Sequence, residues 1–261
     1  MKNSLIFGVF FILIISFTEC KDKESGQGNL QINFKHLIDN KVIVYDSMIY
    51  INAAGNPYSV TEVKWFISRV ILFKEGEKIE ITDNDGIHFI ETNITGTLTW
   101  AIEQKFEEGE YDSLQFVFGF NASDNTSNRF VNPPETSMAW PLTLGGGYHY
   151  MMLNGRYKSS EDKICAMNAH LGIGQIYEGT TYSVDSIINF VNNNFTVTLR
   201  QPFPVEKDQT SSVSIIMNIE NWFRNPINYD HNQWGSHIMQ KQEAMHILIQ
   251  NGWNVFSMKV D

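Results

Sequence analysis

The feature that most constrains this chain is a series of short apolar runs rich in Val, Ile, Phe and Thr. Residues typical of turns separate these runs, a pattern found in all-β sandwiches. The sequence therefore predicts an all-β fold, a single antiparallel β-sandwich. The clearest runs are LQINFKH (30–36), VKWFISRVILF (63–73), LQFVFGF (114–120), FTVTLRQ (195–201) and VSIIMNI (213–219).

One helix is predicted near the C-terminus, over residues 238–250. Ser236 can cap its start, and Gly252 suits the left-handed residue that ends many helices. Two further segments, 121–145 and 220–236, have few strand signals and much Asn, Pro and Gly, which predicts long ordered loops. The apolar residues at helical spacing are Met239, Met245, Leu248 and Ile249.

The N-terminus predicts export. Residues 5–17 form an unbroken apolar run behind Lys2, too short to span a bilayer comfortably but suited to a secretory signal. Cys20 follows closely and precedes a charged, flexible stretch, as in bacterial lipoproteins. We therefore expect residues 1–19 to be a signal peptide, with a lipidated Cys20 and a polar tether in residues 20–29.

This interpretation implies a protein of the cell envelope that is attached to the membrane through its lipid. The acidic start after Cys20 resembles the tether of surface-exported Bacteroidetes lipoproteins. A plain cleaved signal or an uncleaved anchor are the alternatives, because Thr18 and Glu19 are not the small residues usual before a lipidated cysteine. The folded domain is expected over residues 30–261.

Composition narrows the classes of partner. The formal net charge of −10 argues against a nucleic-acid partner, which would require clustered Lys and Arg. Once Cys20 is lipidated, Cys165 is the only thiol left, so no intrachain disulfide can form. Stability must then come from the core, for which 43% hydrophobic and 13% aromatic residues provide the material.

The sequence has no nucleophile elbow, P-loop, HExxH or dinucleotide-binding glycine pattern, so we expect no enzymatic activity. Its histidines are more informative. His149 lies in GGYHYMM, His170 in MNAHLG, and His231 and His237 flank Trp234. Imidazole and thioether are the ligands that Cu(I) prefers. In a regular strand, His149 and Met151 would share one face.

Five segments together carry a family resemblance, and the Met-x-Trp and His-Leu-Gly motifs within them are the most specific. Taken in order along the chain, these segments resemble the motifs of the MbnP-like copper-binding family, whose bacterial members are exported and often lipid-anchored. The segments are YSVTEVKWFISRVILF (58–73), GEYDSLQFVFGFNASDN (109–125), MAWPLTLGGGYHYMMLNG (138–155), AHLG (169–172) and NGWNVFSMK (251–259).

The resemblance implies a copper site and a partner. In the family, histidines hold copper together with a tryptophan that a dihaem, peroxidase-like partner enzyme oxidises to kynurenine. Trp140 stands at the matching position, although a loop anchor is its alternative role. We expect His149 and His170 to hold one copper ion, with Cu(I) favoured. His237 is the first choice for a third ligand, and the less certain candidates are His231 and Met151.

Two alternatives without metal remain open. One is a cell-surface module that binds a glycan or a protein, and the other is a structural envelope protein. Trp140, Trp222 and Trp234 would then be exposed on loops, where they could stack on sugars or fill a partner's pocket. Metal binding requires the rings of His149 and His170 to converge, whereas glycan binding requires exposed aromatic rings and scattered histidines.

Overall fold

The protein is described here by a computed structural model covering residues 26–261. The expected signal peptide, Cys20 and the tether up to residue 25 lie outside the described residues. The folded domain begins earlier than expected, at Gln27 rather than at residue 30. Asn29, assigned to the tether, pairs with Thr210 inside a sheet.

The regular structure of residues 26–261 is mainly β. The first nine strands are β1 (Gln27–Ile38), β2 (Lys41–Val42), β3 (Tyr50–Ile51), β4 (Pro57–Lys74), β5 (Glu77–Glu80), β6 (His88–Glu91), β7 (Thr99–Ala101), β8 (Phe106–Glu107) and β9 (Gly109–Tyr111). The next nine are β10 (Ser113–Phe118), β11 (Met151–Lys158), β12 (Ile164–Leu171), β13 (Ile173–Tyr177), β14 (Ile187–Asn192), β15 (Phe195–Leu199), β16 (Phe203–Val205), β17 (Thr210–Asn218) and β18 (Phe256–Val260).

Two sheets form the sandwich. The larger has the order β12-β11-β4-β10-β15, with β3, β5 and β6 also paired to β4. The smaller has the order β18-β17-β1-β2, with β7 and β8 paired to β1. β13 pairs with β14, and β9 with β16, as separate two-stranded sheets. The predicted antiparallel β-sandwich is confirmed.

One strand pair of the smaller sheet departs from the antiparallel rule. β1 and β17 run parallel, in register from Asn29 and Thr210 to Leu37 and Asn218. Antiparallel strands can be joined by a tight hairpin, whereas parallel strands need a long connection. Most of the domain lies between β1 and β17 in sequence, so the chain supplies that connection.

Aromatic side chains from the two sheets fill the space between them. Trp65 on β4 of the larger sheet is fully buried. Its ring lies 5.7 Å from Phe34 on β1 and 5.3 Å from Phe256 on β18, both in the smaller sheet. Burial of one such side chain stabilises the fold by about 1.5–3 kcal/mol, so these contacts hold the two sheets together.

The predicted C-terminal helix is confirmed, but its ends differ from the prediction. The described helices are the one-turn α1 (His231–Trp234) and the longer α2 (Gln242–Asn251). Ser236 does not cap α2, because α2 begins only at Gln242 and its N-cap position is Lys241. The Ser236 carbonyl instead accepts a hydrogen bond from Asn168 N at the edge of the larger sheet. Gly252 has a right-handed φ of −59°. A Cβ there would lie 2.5 Å from Phe195 Cζ, so close packing explains the glycine.

The predicted long loops are also confirmed. Residues 119–150 connect β10 to β11, and residues 219–241 contain only short helical turns. Neither α-helix of residues 26–261 is long and apolar enough to cross a membrane. The 3-10 turns are Asp83–Gly86, Thr95–Leu98, Glu135–Met138, Leu142–Leu144, Val184–Ser186, Ile219–Phe223 and Gly252–Asn254.

Candidate metal centre

Residues 138–149 fold back on themselves as a short ladder ahead of β11. Trp140 N donates to the carbonyl of Gly147 at 2.8 Å, and His149 N donates to the carbonyl of Met138 at 2.7 Å. His149 therefore precedes β11, which begins at Met151. The prediction that His149 and Met151 share one face of a regular strand is wrong, because strand alternation does not extend to His149.

Three consecutive glycines make this ladder possible. Gly145, Gly146 and Gly147 have φ values of +114°, +68° and +79°, a backbone region that side chains other than glycine rarely adopt. A Cβ on Gly147 would also lie 2.3 Å from the Asn125 side chain. The glycines thus turn the chain tightly and return it towards β11 with His149 at a defined place.

The pairing of β11 with β12 brings His170 beside His149. Their ring centroids lie 5.1 Å apart, and the ring planes are nearly perpendicular at 82°. Both side chains are buried, with 6% of His149 and 9% of His170 exposed. The protein therefore contains two buried imidazoles in contact, contributed by the Gly-Tyr-His-Tyr segment and by the His-Leu-Gly segment.

Each of the two rings is fixed by one hydrogen bond. His149 Nδ1 donates to the Met138 carbonyl at 2.9 Å, since a carbonyl only accepts. His170 uses the other nitrogen, and its Nε2 lies 2.8 Å from Asn154 Oδ1. Within residues 26–261, His149 Nε2 and His170 Nδ1 are buried and have no hydrogen-bond partner. A buried unmatched polar group costs about 1–3 kcal/mol, which a bound metal ion would offset.

Burial also controls the charge of both rings. Desolvation lowers the pKa of His149 to about 4, because the interior disfavours the charged form. It lowers the pKa of His170 to about 3, and the nearby His149 and His237 contribute to this shift. Both imidazoles are therefore neutral at pH 7, which is the form that binds a metal ion.

Trp140 packs against the His149 ring and against Gly172 of the His-Leu-Gly segment. Its side chain is 2% exposed, and its indole Nε1 donates to the Leu144 carbonyl at 3.1 Å. The Trp140 and His149 ring centroids are 4.6 Å apart. A Cβ on Gly172 would lie 2.6 Å from Trp140 Cε3. The glycine of His-Leu-Gly thus makes room for the tryptophan of Met-x-Trp, and Trp140 anchors the loop that carries His149.

His237 lies near this pair, but it does not complete a three-histidine cluster. It is exposed, and its Nδ1 lies 3.0 Å from Asn168 Nδ2 at the edge of β12. It does not start a helix as expected, since α2 begins at Gln242. In the part of the chain that the structure describes, no three His, Cys, Asp or Glu side chains are grouped to hold a metal ion.

Met151 lies on the wrong face for a ligand. It pairs with Leu171 across β11 and β12, whereas Met152 pairs with His170. Paired residues project from the same face of a sheet, and neighbouring residues project from opposite faces. Met151, which is fully buried, therefore faces the core of the sandwich. Met152 is the methionine on the face of His170.

His231 belongs to a separate aromatic cluster. It is 1% exposed and lies in α1. Its ring stacks on Tyr157 at 5.1 Å, and it contacts Phe223 at 4.9 Å and Tyr229 at 5.2 Å between centroids. The structure thus surrounds His231 with aromatic rings rather than bringing it to His149 and His170.

The tryptophans considered for glycan binding are not exposed as expected. Trp140 and Trp222 are 2% and 0% exposed, and Trp234 is half-buried. Long loops carry them, but their rings pack inward because each ring removes a large apolar area from water. These three residues therefore form no exposed platform for a sugar.

Two residues next to the histidine pair carry no sequence signal that predicts them. Asn154 on β11 contacts the His170 ring, and Glu62 on β4 contacts Asn154. The alternation along β11 places Asn154 on the same face as Met152. Only the register between β4, β11 and β12 shows that Glu62 and His170 meet at this residue, and no local pattern encodes that register.

Fold and site together define a β-sandwich protein with a buried, neutral pair of histidines beside a buried tryptophan. The sequence model of the MbnP family matches residues 27–240, and the chain belongs to this family. Among solved structures, MbnP from Methylosinus trichosporium is similar, with 14% sequence identity and a TM-score of 0.49. That match covers 79% of this chain and 80% of the other. No curated protein matches the chain.

Proposed function

We propose that this protein binds one copper ion as Cu(I) through His149 and His170. One observation carries the proposal, namely the two unmatched ring nitrogens. His149 Nε2 and His170 Nδ1 are buried without partners within the described residues, while the other nitrogen of each ring is hydrogen-bonded to oxygen. Histidines that bind metals usually have this outer hydrogen bond, which fixes the tautomer and the ring orientation.

The donor set favours a soft, singly charged ion. Two neutral imidazoles are a suitable start for low-coordinate Cu(I). Their buried position adds to this preference, because a charge inside a protein is costly and the cost grows with the size of the charge. The ion is the cargo of a binding protein, and the proposed role is non-enzymatic.

Trp140 is the residue on which a modification would fall. Family resemblance supports an oxidation to kynurenine by a dihaem, peroxidase-like partner enzyme. The contact between the rings of Trp140 and His149 would place the altered residue beside the copper ion. Mass spectrometry of the Trp140 peptide, from protein purified from the native host, tests this. An unmodified tryptophan in copper-loaded native protein would contradict it.

The proposed setting is the cell envelope, with attachment to the membrane through a lipid on Cys20. The support comes from the apolar run before Cys20 and the charged stretch after it. Expression of Cys20→Ala beside the wild type tests the anchor. The variant should leave the membrane fraction. Correct processing and unchanged membrane attachment of the variant would overturn the proposal of lipidation.

Titration with Cu(I) against a competing chelator tests copper binding. Wild type should take up one equivalent, and His149→Ala and His170→Ala should each lose most of the affinity. His246→Ala is the matched control, because His246 is exposed on α2. Equal affinity of wild type and both site variants would overturn the proposal.

A further inference from the structure

Three neighbouring strands bring Glu62, Asn154 and His170 into one hydrogen-bonded chain. Glu62 on β4 pairs with Asn154 on β11. Asn154 Nδ2 donates to Glu62 Oε2 at 3.1 Å, and Asn154 Oδ1 lies 2.8 Å from His170 Nε2. The amide thus connects a carboxylate on one strand with an imidazole on another.

The carboxylate of Glu62 determines which ring nitrogen of His170 carries the proton. A carboxylate only accepts hydrogen bonds, so Asn154 must turn its amide nitrogen towards Glu62. Its oxygen then faces His170 and requires a donor, so the proton of the neutral ring lies on Nε2. Rotation of the amide would set its oxygen against the carboxylate and break this arrangement. Without Glu62, both amide orientations would be open to Asn154.

Further contacts hold Glu62 in place. Its Oε1 accepts a hydrogen bond from Asn93 Nδ2 at 3.1 Å and lies 3.2 Å from Lys64 Nζ. Lys64 is shared with Glu91, whose carboxylate lies 3.3 Å away. The side chains of Glu62 and Lys64 are 19% and 16% exposed. The carboxylate is therefore oriented by groups on both sides and is largely shielded from water.

We propose that Glu62 and Asn154 are positioning residues that hold His170 with its proton on Nε2 and its Nδ1 free for a metal ion. Their effect on copper rests on the proposed function, whereas the tautomer is a property of the metal-free protein. His149 needs no such pair, because its Nδ1 is fixed by the Met138 carbonyl.

Nitrogen-15 NMR of the imidazole rings in copper-free protein tests the tautomer. In wild type, His170 should be protonated on Nε2 alone. Asn154→Leu and Glu62→Ala should each give a mixture of tautomers or the opposite tautomer. Their Cu(I) affinity should fall by about 10–100-fold, the usual effect of removing an outer partner of a metal-binding histidine.

A paired exchange provides a rescue. In Glu62→Gln with Asn154→Asp, the new carboxamide at position 62 donates to the new carboxylate at position 154. That carboxylate still accepts from His170 Nε2, so the tautomer and the affinity should return towards wild type. Gln115→Leu is the matched control, because Gln115 also makes a cross-strand hydrogen bond, to Thr198, but on β10 and β15. Gln115→Leu should change neither the tautomer of His170 nor the Cu(I) affinity.

The outcomes separate the two proposals. His170 remaining protonated on Nε2 alone in both Asn154→Leu and Glu62→Ala would overturn the positioning role. Unchanged Cu(I) affinity in both variants, with wild type binding copper, would also overturn it. Failure of wild type to bind copper would overturn the proposed function instead, and the tautomer measured without copper would still decide the positioning. Circular dichroism identifies any variant that does not fold, and Glu62→Ala and the paired exchange provide independent tests if Asn154→Leu fails.

Discussion

His149 and His170 contact each other edge to face, yet they leave opposite ring nitrogens unmatched. The centroids lie 5.1 Å apart, and the buried atoms without a partner among residues 26–261 are Nε2 of His149 and Nδ1 of His170. The difference follows from what each ring donates to. A backbone carbonyl eleven residues away fixes His149, and a side-chain amide sixteen residues away fixes His170. Substitutions should therefore affect the two rings differently.

Met138→Leu should leave Cu(I) affinity within about twofold of wild type, because His149 is held by the Met138 carbonyl and not by its thioether. Met138 is fully buried, and a swap that conserves volume usually costs less than about 1.5 kcal/mol. Chelator competition measures the affinity. A large loss in a variant of normal thermal stability would instead identify the Met138 sulfur as a ligand.

Gly172→Ala should disturb both stability and copper binding. The new Cβ would lie 2.6 Å from Trp140 Cε3, so the indole and the adjoining His149 ring would have to shift. Overpacking of this kind costs about 1–3 kcal/mol, measurable by urea unfolding. Gly96→Ala is the matched control, since the Cβ added there would meet only open space. Identical stability and affinity in both variants would contradict the packing of Trp140 on Gly172.

Copper affinity should be independent of pH between about pH 5 and 8. Protons compete for an imidazole lone pair only below the pKa of the folded protein, which is about 4 for His149 and about 3 for His170. Exposed histidines would start to lose copper below their ordinary pKa of about 6.5. Chelator competition across this pH range distinguishes buried histidine ligands from exposed ones. A steady loss of affinity from pH 7 to pH 5 would point to exposed ligands.

The free energy of unfolding should also depend on pH through other histidines whose pKa is lowered, of which the half-buried His88 gives the cleanest test. Its ring stacks between Phe34 and Trp100, each at 5.0 Å, and desolvation lowers its pKa from 6.5 to about 4. The unfolded chain binds this proton below about pH 6.5, but the folded chain does not. Stability is therefore complete above that pH and falls as the pH drops towards 4.

His88→Phe keeps the stacked ring and removes the titration. Between pH 6 and 5, the free energy of unfolding of wild type should fall by about 1 kcal/mol more than that of His88→Phe, because the unfolded wild-type chain binds most of one extra proton in this range. Urea unfolding at the two pH values measures this slope. The slope is insensitive to any constant loss from the hydrogen bond between His88 Nε2 and the Thr97 carbonyl. Equal slopes would show that His88 is not neutral in the folded protein.

The features that could be predicted from the sequence are those with a local signal. Strand composition and turn residues predicted the sandwich, and helical spacing predicted α2. The left-handed φ values of Gly145 to Gly147 also have a local basis, because glycine adopts this backbone region without steric cost. Family motifs singled out His149 and His170, whose rings the fold brings into contact.

The features that could not be predicted depend on register and on distant contacts. The register of β11 against β12 decides that Met152, and not Met151, pairs with His170. The left-handed conformation expected of Gly252 is wrong, because the position needs a glycine for its close contact with Phe195, which is distant in sequence. Glu62 and Asn154 were missed for the same reason, since three strands must align before they meet His170.

Copper binding by His149 and His170 is tested by nitrogen-15 NMR of the histidine ring nitrogens while Cu(I) is added to the metal-free protein. Cu(I) is diamagnetic, so the nitrogen-15 signals remain observable. One equivalent should strongly shift the signals of His149 Nε2 and His170 Nδ1 and leave those of His36, His88, His231 and His246 unchanged. Shifts confined to His237 and His246, with His149 and His170 unaffected, would contradict it.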